Sequence, residues 1–124
     1  MHTEIKTFED ACTKLGLDAA KVLPDFSMFP EQHQKAMTAH AKLIIIAEAL
    51  NEGWKPDWEN GKWDKWYPWF VMGSPSGSGF SFFGAGDWRT ASRAGSRLCF
   101  KSEEIAEYAG TQFEELYKDY FVMN

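Results

Sequence analysis

The sequence predicts an α+β domain in which two or three helices pack on a small antiparallel sheet of three or more strands. Apolar residues recur at helical spacing, behind capping residues, towards both ends of the chain. The middle of the chain loses that period and becomes rich in aromatics, glycine and turn residues. A length of 124 residues with 44% hydrophobic content is enough for one core. Residues 1–124 are therefore read as a single domain that folds without a disulfide or a metal.

Thr7 can cap a first helix over Phe8 to Leu15, with Glu9 and Asp10 at the positive end of its dipole and Gly16 closing it. Phe8, Ala11, Cys12 and Leu15 form its apolar stripe, which makes Cys12 a core residue. A second helix is predicted over 30–51, from Pro30 in the first turn to a stop at Gly53. Met37, His40, Ile44 and Ala47 lie along its inner face, with Ala36, Leu43 and Leu50 beside them and Ile45 and Ile46 widening the stripe. So broad a stripe places the helix at the centre of the fold or under a second subunit. Ser102 can cap a last helix, with Glu103 and Glu104 in its first turn and Ile105, Ala109, Phe113, Leu116 and Tyr120 as its apolar face. Gly110 within that face signals the close approach of another backbone.

Between the helices, Lys55-Pro56-Asp57 and Asn60-Gly61-Lys62 are turn signals that separate tryptophans at 54, 58, 63 and 66. Strands are expected over Tyr67 to Met72, Gly79 to Phe83 and Ser96 to Lys101, with residues 73–78 as the connection between the first two. Gly84 to Gly95 fits loop, bulge or short strand equally.

The charge is segregated. Residues 66–101 carry four basic residues against one acidic, while residues 102–124 carry one against six and the whole chain has a net charge of −5. The basic island also holds nine of the 20 aromatics, which make 16% of the chain. No apolar run approaches the ~20 residues of a membrane span, and the N-terminus lacks a signal-peptide pattern. The expectation is a soluble cytoplasmic protein whose two cysteines, Cys12 and Cys99, are buried thiols.

Catalytic signatures are weak. Gly73-Ser74-Pro75-Ser76-Gly77 places proline where a nucleophile elbow needs serine. Cys99 sits in a candidate strand with no adjacent base. Gly77-Ser78-Gly79 lacks the lysine and Ser/Thr of a phosphate loop. His2, His33, His40, Cys12 and Cys99 fall at no metal-ligand spacing. No catalytic residue, metal or cofactor is assigned.

The segments 47–58, 67–70 and 95–102, followed by Ala106-Glu107-Tyr108-Ala109-Gly110 and Gln112-Phe113, resemble a family of small uncharacterised proteins encoded by Bacteroidales phages, prophages and mobile elements. The resemblance runs from Phe8 onward. It implies a phage-type accessory or virion-associated protein in the bacterial cytoplasm, and it implies no activity or ligand.

Read from the residues, a surplus of large aromatics points to an interface with a protein partner or a second copy, anchored by Trp54, Trp58, Trp63, Trp66 and Trp88, with Trp69 and Phe70 assigned to the core. The alternative is single-stranded nucleic acid, stacked on the aromatics while Arg89, Arg93, Arg97 and Lys101 neutralise phosphates. That alternative needs the arginines on one surface beside an exposed Trp88; pairing with Glu103, Glu107 or Glu114 would remove its basis. A sugar site at Asp57 and Asn60 is a third reading.

Overall fold

A computed structural model describes residues 2–61, 64–73, 78–90, 92 and 95–123. The described residues form an α+β fold with four α-helices and one two-stranded antiparallel sheet. In chain order these are α1 (Phe8–Leu15), α2 (Glu31–Asn51), β1 (Lys65–Val71), β2 (Ser81–Trp88), α3 (Glu103–Gln112) and α4 (Glu114–Phe121).

Helix α1 starts in a capping box. The Asp10 N–H donates to Thr7 Oγ1 at 3.0 Å and the Thr7 N–H donates to Asp10 Oδ2 at 3.1 Å, so two otherwise orphaned donors are satisfied. Gly16 ends it in the left-handed region at φ 72°. Helix α2 is buried through Ala39, Leu43, Ile46, Ala47, Ala49 and Leu50. Its innermost line is thus displaced from the expected one, and His40 and Ile44 are only half-buried. The breadth of the stripe has a plain cause, because α1 packs on one side of α2 and α4 on another. His40 lies against the Tyr120 ring, 4.5 Å between centroids, and burial lowers its pKa.

The single last helix expected from the sequence is two helices. Ser102 caps α3 by accepting the Ile105 N–H at 3.2 Å, as predicted. The chain leaves helical geometry at the buried Phe113, with φ −112° and ψ 27°. The break lets α3 lie on the sheet while α4 turns to pack against α2. Gly110 on α3 marks a close approach, but of side chains and not of backbone. An ideal Cβ there would stand 2.5 Å from the Phe82 ring and 2.7 Å from Pro68 Cβ.

In the sheet, β1 and β2 pair from Lys65↔Trp88 to Val71↔Ser81, with an irregularity between Trp69 and Phe70 that leaves Phe83 as the extra, bulged residue. The undecided segment 84–95 therefore begins as strand, through Trp88. The expected third strand, Ser96 to Lys101, is a 3₁₀ turn at Ser96–Leu98 followed by one isolated bridge, Trp66↔Phe100. Proline explains the stop. Trp66 exchanges both backbone hydrogen bonds with Phe100, at 2.9 and 2.7 Å, so the next position facing the same edge is Pro68, which has no N–H to continue the ladder. The segment is held from the other side by the buried Asn51, whose Nδ2 donates to the Cys99 carbonyl at 2.9 Å and whose Oδ1 accepts the Lys101 N–H at 3.1 Å.

Candidate functional site

Strand alternation sorts the aromatics of β1. Pro68 and Phe70 point inward and are buried, Phe70 at 7% exposure against Tyr117, Phe80 and Phe82. Tyr67, Trp69 and Val71 take the opposite face. Across the strand, Trp69 pairs with Gly84 and Tyr67 with Gly86, so no side chain blocks the rings. The fit at Gly86 is tight, since a Cβ there would stand 2.5 Å from the Tyr67 hydroxyl oxygen. Tyr67 lies across the glycine and stacks on Trp88, 3.7 Å between centroids and 15° from parallel. Trp69 meets Tyr67 edge to face at 6.4 Å and Phe83 at 5.8 Å. The result is a ladder, Trp88-Tyr67-Trp69-Phe83, in which Trp69 is 55% and Phe83 67% exposed. Val71 and Met72 extend the exposed apolar surface.

Beside this ladder, where the β1 edge goes unpaired after Trp66, runs a groove of about 510 Å³ lined by Tyr67, Trp69, Trp88, Tyr117, Tyr120 and Phe121, with Pro68 and Leu98. Among the described residues, no charged side chain lines it. Burial pushes the Tyr117 phenol far above its ordinary range, so it stays protonated as a donor. Among the described residues, the Tyr67, Tyr117 and Tyr120 hydroxyls and the Trp69 and Trp88 indole N–H groups make no hydrogen bond.

The anchors expected from the sequence divide. Trp88 belongs to the ladder, half-buried by its stack on Tyr67. Trp66 is half-buried and carries the bridge to Phe100. Trp58 is structural, since its Nε1 donates to Ser96 Oγ at 2.6 Å and its ring lies 5.3 Å from the Lys65 ammonium. Trp54 is half-buried and lines a separate cleft of about 570 Å³ with Glu48, Lys55 and Arg97. Trp63 lies outside the described residues. Trp69, assigned to the core from sequence, is instead the centre of the exposed face. Aromatics occupy both parities of Lys65-Trp66-Tyr67-Pro68-Trp69-Phe70-Val71, so a period of two does not say which set is inside. The signal that discriminates is the pair of glycines at 84 and 86, which face Trp69 and Tyr67.

Two of the basic residues are already ion-paired. Arg89 Nε is 3.1 Å from Asp64 Oδ1, and Lys101 Nζ is 3.2 Å from Glu52 Oε1, so their partners are not the Glu103, Glu107 or Glu114 weighed from sequence. Glu52 also binds Lys14 at 3.2 Å, and its hydrogen bonds to Lys101 and Lys14 hold its carboxyl below the ordinary range. Asp87 is shifted the other way, raised by burial and by the hydrogen bond and charge of Asp64. Arg97 is exposed on the Trp54 cleft, and Arg93 lies outside the described residues. Lys65 was not singled out by sequence and is fully buried, its ammonium donating to the Asn60 carbonyl at 2.9 Å and to the Arg89 carbonyl. It thereby ties the loop before β1 to the end of β2.

Both cysteines are buried thiols. Burial pushes Cys99 up to about 11 and raises Cys12, whose neighbours Glu9 and Asp18 add to the shift, so neither is a ready nucleophile. Among the described residues no group of three or more His, Cys, Asp or Glu side chains could hold a metal ion, and no helix is long and apolar enough to cross a membrane. Comparison with protein-family models, curated proteins and solved structures gives no match.

Proposed function

We propose that this protein is a non-enzymatic binding module that docks a protein partner on the outer aromatic face of the β1–β2 ribbon and the groove beside it. The observation that carries this is the exposure of Trp69 and Phe83, at 55% and 67%, within one continuous run of ring contacts. A monomer gains nothing from presenting a rigid, contiguous apolar surface to water, whereas large aromatics fixed by their neighbours make interface anchors at little entropic cost. The resemblance to phage and prophage proteins supplies the setting, an accessory or virion-associated role in the bacterial cytoplasm. The single-stranded nucleic-acid reading draws less support, because Arg89 and Lys101 are already engaged by carboxylates and Arg97 faces a different cleft.

Selection of a displayed random-peptide library on the immobilised protein tests the reading. Enriched peptides are expected to bind the native protein and to lose about tenfold or more in affinity on Trp69→Ala, the loss typical of an aromatic anchor. Peptides that bind both proteins equally would place the docking surface elsewhere.

A further inference from the structure

Beyond that docking reading, we infer that the free edge of β2 pairs antiparallel with β2 of a second copy of this chain, about a two-fold axis at Gly86, joining two ribbons into one four-stranded sheet. Hydrogen-bond direction, the register and the placement of the glycines each point to that partner.

The direction follows from Trp66. Both of its backbone groups go to Phe100, so the pairs that bond β1 to β2 are Lys65↔Trp88, Tyr67↔Gly86 and Trp69↔Gly84. The N–H and C=O groups of Ala85 and Asp87 therefore point away from β1, and they have no partner among the described residues. Both ends of this edge are closed, since the Glu114 carboxylate takes the Phe82 N–H and the Lys65 ammonium takes the Arg89 carbonyl. The open stretch between them is a template for an added strand.

The register is self-complementary. With Gly86 on the axis, Ala85 of each copy faces Asp87 of the other, and every one of these free groups finds a partner. Centring on Ala85 would set Asp87 against the Phe83 bulge, and centring on Asp87 would set Ala85 against the Arg89 carbonyl that Lys65 already holds.

The outer face fits the same register. Gly84 of one copy faces Trp88 of the other, and a Cβ at Gly84 would meet nothing within 4 Å in its own chain, so that seat is open to the incoming indole. Trp69 lies across from Gly84, so the indole arrives beside Trp69 and the two ring ladders become continuous. At Gly86 the seat is already filled, because the Tyr67 hydroxyl oxygen lies 2.5 Å from where a Cβ would stand. A partner strand with a side chain opposite Gly86 would crowd that ring, whereas a second Gly86 brings none. This selects the chain itself over an arbitrary extended peptide. Beneath the sheet α3 packs on both strands, and two copies of it come about 10 Å apart, the ordinary spacing of packed helices.

Area and charge set the strength. One strand pair with its flanking rings buries less than the ~1,200 Å² of a tight interface, so the dimer is expected at micromolar or weaker affinity. Asp87 and Glu103, whose like charges already act on one another, recur in the second copy and oppose the pairing.

Sedimentation equilibrium of the full chain, from micromolar to millimolar concentration, is the test, and a monomer–dimer equilibrium is expected. Gly84→Val fits within one chain, and Asp87→Pro removes an N–H that the fold does not use; each is expected to weaken the dimer about tenfold or more. Asp87→Asn keeps that N–H and removes a like charge, so it is expected to tighten the dimer. Circular dichroism checks that the variants keep the fold. Hydrogen exchange of the native protein needs no variant, and the Ala85 and Asp87 amides are expected to slow as concentration rises. A chain monomeric throughout, association that continues past the dimer, or a dimer that survives both Gly84→Val and Asp87→Pro would overturn the inference. So would equal loosening by the two Asp87 variants, or edge amides indifferent to concentration. A monomer whose library-selected peptides still require Trp69 leaves the docking reading standing; a dimer whose selected peptides ignore Trp69 leaves the edge pairing standing without it.

Discussion

Gly110→Ala is expected to destabilise the protein by about 2 kcal/mol, although helix propensity alone assigns the same change roughly 1 kcal/mol of stabilisation. The opposite sign follows from where α3 lies. A Cβ at position 110 would stand 2.5 and 2.6 Å from two carbons of the Phe82 ring and 2.7 Å from Pro68 Cβ. Favourable contact between carbons begins near ~3.5 Å, so either the ring must rotate or α3 must lift from the sheet. Neither is easy. Phe82 is packed against Phe70, and its own N–H is held by the Glu114 carboxylate at 2.5 Å, while Pro68 is fixed in the strand. Urea unfolding reads the result as a lowered midpoint. A raised midpoint would show that α3 does not press on the sheet, and the placement of the groove beside β1 would fall with it.

Asn51→Leu is expected to cost about 3 kcal/mol, because it leaves two backbone groups without their partner in the core. Asn51 is 5% exposed at the end of α2, and its amide joins that helix to the Cys99 carbonyl and the Lys101 N–H. Leucine has similar bulk and can satisfy neither group. Asn51→Asp separates the two bonds: the carboxylate still accepts from Lys101 but faces the Cys99 carbonyl with no hydrogen to donate, and intermediate destabilisation is expected. A leucine variant as stable as the native protein would show that segment 99–101 is held by Trp66 and packing alone.

What the sequence made legible was local. Thr7 with Asp10, Gly16, and Ser102 ahead of a pair of glutamates each announce a helix end through neighbours within four residues, and all of these ends lie where expected. The general α+β architecture followed from the same punctuation. The misread features all depend on distant partners. Phe113 breaks the last helix because α3 and α4 pack on different neighbours, which a continuous apolar stripe does not reveal. Ser96 to Lys101 has strand-like composition, yet Pro68 on the neighbouring strand limits it to one bridge.

The site was legible as a composition and not as a set of residues. An excess of aromatics in the middle of the chain points to an aromatic surface, and Trp88 lies in its ring ladder, stacked on Tyr67. The parity of β1 decides that Trp69 is outside and Phe70 inside, and it is set by contacts with α3 and α4 that lie more than thirty residues away. Lys65 illustrates the same limit, a lysine buried by two carbonyls and an indole that no local pattern brings together.

The most direct test of the account is the solvent exposure of the individual indoles. In a ¹⁵N-labelled sample with a soluble paramagnetic agent, the Trp69 indole N–H signal is predicted to broaden strongly, and more than that of the half-buried Trp58. A Trp69 signal as protected as that of Trp58 would mean that the ring is covered within the protein, and the aromatic face would not be available to a partner.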